Sequence, residues 1–248
     1  MVSLLQWYED SGVDETISDE TLNWFALATT PKSAPVIQAT PVASVEQIAR
    51  EAETRAGNCD NLSALHDAIR NFEGCRLKNT ATHTVFSSGN PESAIMLIGD
   101  APGAEEDRQG TPFIGENGLL LDKMFAAIGK SRENDFYITN ILPWRPPGNR
   151  APTSDEITIC LPFIKRHIEL FNPKLIVLLG GIATNSLLNT EQGITRLRGK
   201  WKEYDLGGVK IPTGPLFHPG YLVKQPKAKR DTWADLLALK ARIEELSL

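Results

Sequence analysis

The pattern of this chain predicts an α/β fold: three layers (α/β/α), a central, mostly parallel four-stranded sheet between helices, and an N-terminal helical extension. Three observations carry this expectation. Short, mainly apolar runs at residues 94–99, 136–139 and 175–179 have strand length and 209–217 supplies a last strand, with stretches of helical periodicity between them. The run Leu175-Ile-Val-Leu-Leu179 contains no polar residue, as a strand covered on both faces requires. Between the first run and the next helix lies a long charged loop punctuated by Gly99, Gly103, Gly110, Gly115 and Gly118. Ligands of parallel α/β sheets bind outside the carboxyl ends of strands, so this loop is the first place to look for a site.

The elements follow in order. Leu4, Leu5, Trp7, Tyr8, Val13, Ile17, Leu22, Trp24 and Phe25 suggest two short acidic helices broken at Ser11-Gly12. Pro31, Pro35 and Pro41 among Ala, Thr and Ser mark an extended linker, so residues 1–45 read as an extension and 46–248 as the α/β domain. Ser44 and Gln47 form a capping-box pattern for a helix to about residue 56. Leu62, Leu65, Ile69 and Phe72 share one face of a helix over 61–72. The first strand, 94–99, leads through the glycine-rich loop to a helix over 119–128. A strand at 136–139 delivers Asn140 to its carboxyl end, and an irregular run, 143–150, follows. Ser154, with Asp155 and Glu156 in the next turn, opens a helix to about Phe171. After strand 175–179, Gly180-Gly181 turns into a helix over 183–188. The last strand ends at His218-Pro219-Gly220, and a final helix spans 229–246. Asp100, Asn140 and His218, far apart in sequence, then meet at one sheet edge.

At 248 residues and 41% hydrophobic content the chain can bury a full core. It shows no apolar stretch near the ~20 residues of a membrane span and no secretory leader, so it reads as soluble, cytoplasmic and without a membrane partner. Cys59, Cys75 and Cys160 are an odd set that argues against a disulfide framework. Glu9, Asp10, Asp14, Glu15, Asp19 and Glu20 against Lys32 account for the whole net charge of −5. Residues 192–230, by contrast, carry an excess of seven positive charges, which suits a surface facing a polyanion. Other motifs fail. No Gly-x-Gly-x-x-Gly follows the first strand, and Gly129-Lys130-Ser131 lacks the glycine a phosphate loop needs, Met124 standing there. Neither a nucleophile elbow nor a second convergent histidine supports a Ser-His-Asp triad; His66 and His167 fall in helices and His83 in a loop.

Five separated motifs, Gly99-Asp-Ala-Pro-Gly, Gly110-Thr-Pro-Phe-Ile-Gly, Ile138-Thr-Asn140, Arg145-Pro-Pro-Gly-Asn-Arg150 and His218-Pro-Gly220, resemble the uracil-DNA glycosylase superfamily, most closely its family 4 branch, over about residues 62–245. The resemblance implies a monomeric hydrolase of DNA repair, acting at the nucleoid of a bacterial-type cell. It would flip uracil from single- or double-stranded DNA and cut its N-glycosidic bond, leaving an abasic site. It also implies roles. Phe113 stacks on the base; Ala101 lines the pocket; Asn140 accepts from uracil N3–H and donates to O4; His218 donates to O2. Asp100 positions water, where family 4 usually has glutamate, and Glu106 guards the C5 side of the base. Leu222 is the expected wedge, with Tyr221 next, and Gly220 allows close approach to a phosphate. Lys224, Lys227, Lys229 and Arg230 are expected on flanking phosphates. Hypoxanthine is an alternative base, and a lesion-binding protein with little turnover is the rival reading.

Family 4 members typically hold an iron-sulfur cluster on four cysteines. Here Cys75 and Cys160 fall at two of those places and Phe72 and Trp144 at the others, with Cys59 thirteen residues before Phe72. Two thiolates do not make a four-cysteine site, so neither a cluster nor any other metal is expected.

Overall fold

The computed structural model describes residues 44–248, and the expected acidic helices and proline-rich linker lie outside them. Six strands form one sheet in the order β1-β3-β2-β4-β6-β5: β1 (Ser88–Gly89), β2 (Ile95–Gly99), β3 (Phe136–Asn140), β4 (Leu175–Leu179), β5 (Lys202–Leu206) and β6 (Val209–Leu216). The middle four, β3-β2-β4-β6, are parallel, which is the expected central sheet. The two antiparallel edge strands are additions to it. β5 and β6 form a hairpin across Gly207-Gly208, both with positive φ, the turn that glycine pairs favour.

Alternate residues of each buried strand feed opposite layers. Met96, Ile98, Tyr137, Ile176 and Leu178 pack on one face, beneath helices α1 (Val45–Gly57), α2 (Leu62–Arg70) and α5 (Ser154–Phe171). Ile95, Leu97, Phe136, Ile138 and Val177 pack on the other, against α4 (Glu116–Ala126) and α9 (Lys229–Glu245). The capping box of α1 forms as expected, with Gln47 N–H donating to Ser44 Oγ at 3.3 Å and Ser44 N–H to Gln47 Oε1 at 3.0 Å. At α5 the cap is Thr153 rather than Ser154, reciprocated by Glu156. His167 is a packing residue, buried and stacked on Phe86 at 4.4 Å, with Tyr137 Oη 2.9 Å from its Nε2.

Four short helices complete the fold: α3 (Ala104–Gln109), α6 (Gly181–Leu188), α7 (Ile194–Leu197) and α8 (Pro219–Lys224). Among the described residues no helix is long and apolar enough to cross a membrane. The strand register positions the site. Gly99 pairs with Asn140, Ile98 with Leu178, and Leu179 with Leu216, so all four parallel strands end at one level.

Candidate active site

At that level Ala101, Pro102, Gly103, Glu106, Phe113, Asn117, Asn140 and His218 enclose a cavity of about 20 Å³, room for about one water. Asn140, the last residue of β3, is 5% exposed, and its Oδ1 is fully buried with no hydrogen-bond partner. A buried acceptor left unpaired costs free energy, so this oxygen favours a donor that enters the cavity. Gly99 makes the approach possible. A Cβ there would lie 2.5 Å from both Asn140 Oδ1 and Phe113 Cζ.

Phe113 is held in a conformation its type rarely adopts, with φ 53°. Arg132 holds it there, donating to the carbonyls of Pro112 (3.0 Å) and Phe113 (2.6 Å) while its guanidinium pairs with Asp122 at 2.9 Å. Gly118 leaves room for the bend, since a Cβ there would stand 1.8 Å from the Phe113 carbonyl oxygen. The Phe113 ring then lies 5.6 Å from the imidazole of His218.

His218 caps α8. Its Nδ1 accepts from Gly220 N–H at 3.0 Å, which places the proton of the neutral ring on Nε2. Burial pushes its pKa down to about 4, against the opposing charge of Glu106, so at neutral pH the imidazole is uncharged and Nε2 is a donor.

Glu106, the capping residue of α3, is buried, and its carboxylate accepts from Gly103 N–H (3.1 Å), Ile114 N–H (3.2 Å) and Gly115 N–H (3.1 Å). It therefore ties the two ends of the glycine-rich loop together while lining the cavity. Its neighbour Asp107, also buried, accepts from Thr82 and His83 N–H at 2.8 and 3.2 Å. Asn117, which sequence reasoning missed, reaches the cavity from the first turn of α4; a Cβ on Gly220 would lie 3.2 Å from its amide nitrogen. The signal was its place in the glycine-rich loop, one residue before Gly118.

Asp100 is the exception to the convergence. Its carboxylate is not among the groups lining the cavity but accepts from Ala183 N–H at 2.7 Å, at the start of α6, and also from Ile182 N–H. Burial raises its pKa to about 6 in spite of these donors.

Beyond His218 the chain is helical, not an open loop. Leu222, the expected wedge, is 1% exposed and packed in the core, because α8 turns it toward α4; Tyr221, the next choice, is 45% exposed. Lys224, Lys227, Lys229 and Arg230 are all exposed, and Gly220 is half-buried.

The positions compared with a cluster site do not fit one. Phe72 and Trp144 are fully buried, Phe72 edge-on to Phe163 at 5.1 Å and Trp144 Nε1 donating to Thr84 Oγ1 at 3.1 Å. Cys59, Cys75 and Cys160 are buried free thiols. Among the described residues no group of three or more His, Cys, Asp or Glu is placed to hold a metal ion.

A family model described as the uracil DNA glycosylase superfamily matches residues 86–237. The type-4 uracil-DNA glycosylase of Archaeoglobus fulgidus is 36% identical over 181 residues, covering 70% of this chain and 90% of that protein. That of Saccharolobus solfataricus is 37% identical, with coverages of 73% and 86%. That of Thermotoga maritima is 37% identical, with coverages of 66% and 83%. With the cavity at the strand ends and a match across most of the domain, this chain belongs to the uracil DNA glycosylase superfamily.

Proposed function

We propose that this chain is a monofunctional uracil-DNA glycosylase of base excision repair, which draws a uracil nucleotide out of the DNA stack and hydrolyses its N-glycosidic bond. The observation that supports this best is the unpartnered Asn140 Oδ1 inside the cavity. Uracil N3–H satisfies it, and the Asn140 amide donates to O4; cytosine carries a lone pair at N3 and an amine at C4, so both contacts turn repulsive. Phe113 stacks on the ring. His218 Nε2–H donates to O2, where negative charge gathers as the base departs. A neutral donor of this kind needs no change of protonation before the bond breaks. The sugar meanwhile develops positive charge and takes up water at C1′, and Asp100, once ionised, favours that cation and orients the water. Among the described residues no lysine lines the cavity, which supports hydrolysis without strand cleavage by an attacking amine. Two thiols supply no iron-sulfur cluster, and no step uses one.

On the DNA side, Tyr221 is the side chain suited to fill the gap left by the flipped base. Lys224, Lys227, Lys229 and Arg230 hold flanking phosphates, with the Gly220 amide close by. The protein acts as a monomer.

The capture of the Asp100 carboxylate at Ala183 N–H favours a second reading, lesion binding with little turnover. Single-turnover assays on labelled oligonucleotides bearing uracil, hypoxanthine or thymine, single- and double-stranded and with EDTA present, separate the two. Uracil release by wild type, slowed about a hundredfold in Asn140→Ala with DNA binding retained, is the result expected of the enzyme. Tight binding of uracil-DNA with no base released would leave recognition alone.

A further inference from the structure

Helix α3 braces the wall of a second cavity. Glu106 lines the Asn140 cavity, while Asp107, the next residue, grips Thr82 and His83, which line an open cavity of about 430 Å³ together with His66, Arg70, Lys78 and Thr84, over a floor formed by Trp144. Its volume is that of a nucleotide-sized site. Among the described residues none that lines it is acidic. Arg70 is exposed on the last turn of α2, and Lys78 is half-buried and paired with Glu73. Thr84 Oγ1 accepts from the Trp144 indole, which leaves its hydroxyl proton free to donate. His83 Nδ1 lies 2.8 Å from the Asp107 carbonyl, which fixes that nitrogen as the donor and holds the ring against α3. Two cations and a hydroxyl donor, with Glu73 on Lys78 as the carboxylate beside them, select an anion that can compete with Glu73 for Lys78.

We propose that this cavity holds a phosphodiester of the DNA strand whose uracil enters the Asn140 cavity, so that Arg70 and Lys78 form a second phosphate subsite separate from Lys224–Arg230. The assignment rests on the glycosylase reading. Glu106 lines the first cavity and Asp107, next to it on α3, holds the Thr82–His83 wall of the second, so a strand that places its uracil in one lies beside the other. The subsite thus grips the strand to one side of the lesion and gives the extruded nucleotide a second fixed point.

The test compares full-length wild type with Arg70→Ala/Lys78→Ala and the charge-preserving Arg70→Lys/Lys78→Arg. Fluorescence anisotropy is measured on single-stranded uracil oligonucleotides with long flanks, or cut to one nucleotide on the 5′ or the 3′ side. At about 0.1 M salt the alanine pair binds the long oligonucleotide about tenfold more weakly, with a salt slope shallower by about one to two. The charge-preserving pair stays near wild type. Truncation on one side closes the gap between wild type and the alanine pair, and truncation on the other does not. Equal affinity and salt slope for wild type and the alanine pair on every oligonucleotide would overturn the subsite. So would displacement of bound DNA from wild type, but not from the alanine pair, by micromolar free deoxynucleoside monophosphate, which would mark a site for free nucleotides. Uracil release is scored in the same samples. Release with no Arg70 or Lys78 dependence sinks the subsite alone; that dependence without release sinks the glycosylase reading and leaves a DNA-strand subsite standing.

Discussion

At the scale of single residues, ionisation decides which side chain does what. His218 stays neutral down to about pH 4, so it brings no titration of its own into the range from 5 to 8. Asp100 does, because burial raises its pKa to about 6. Its carboxyl group is protonated below that value and ionised above it, and in the proposed mechanism only the ionised form would stabilise the sugar cation. Single-turnover uracil release is therefore expected to climb about tenfold per pH unit below 6 and level off above it, with the limb gone in Asp100→Asn. A flat profile from pH 5 to 8 in wild type would remove Asp100 from the chemistry. Asp100 also leads to a gain-of-function expectation. One methylene more carries the carboxylate past the Ala183 amide, so Asp100→Glu is expected to speed release by about tenfold. An unchanged or slower rate in that variant argues that the short side chain is no handicap.

Elements turn these side chains into a site, and here backbone room matters most. Gly118→Ala sets a methyl group against the Phe113 carbonyl and should cost about 3 kcal/mol, read as a lower urea midpoint at unchanged slope. Arg132→Ala releases the strained Phe113 turn. Its expected mark is uracil release slowed tenfold or more with a modest stability loss, about 1–2 kcal/mol, measured by denaturation alongside kinetics. Loss of stability with full activity would mean that the Phe113 ring needs no such clamp. The same scale shows what the sequence made legible. β2, β3 and β4 announce themselves as short, mainly apolar runs buried along their whole length, whereas β6 carries Lys210 and Thr213 and is continuously buried only at its end, at the level where His218 follows. β5 was not legible, because Lys202, Glu203 and Asp205 give an exposed edge strand a polar face, and its signal was the Gly207-Gly208 turn. α3 was hidden for a different reason. Six residues rich in charge form a helix here because Glu106 and Asp107 are anchored by amides elsewhere in the loop, which no local pattern encodes.

For the molecule as a whole, the sheet edge acts as an assembly jig: β2, β3 and β6 bring Ala101, Asn140 and His218 together from positions spread over more than a hundred residues. The residue types at those positions could be read from motifs. Their directions could not, and that is why Asp100 was expected in the cavity and Leu222 on the surface. Asp100 turns toward α6 because unpaired amides at a helix start attract a carboxylate, and Leu222 turns inward because residues 219–224 coil into a helix. The same helix leaves Tyr221 outside. Tyr221→Ala is expected to weaken processing of duplex more than of single-stranded uracil-DNA, about tenfold against little change, since only a duplex has a gap to fill. Equal losses on both substrates would move the wedge elsewhere.

The three amides that converge on the Glu106 carboxylate also set a clock. Gly103 lies at one end of the glycine-rich loop and Ile114 and Gly115 at the other, so none of the three reaches solvent until the shared acceptor lets go. They should exchange their hydrogens for deuterium as one cooperative unit, at a common opening free energy. Since the cavity accommodates about one water, the base entry proposed above requires it to widen, and opening of this loop is the expected route. On that reading the slowest beat of the loop, and not the affinity of the finished pocket, would limit how quickly a lesion is sampled and passed over.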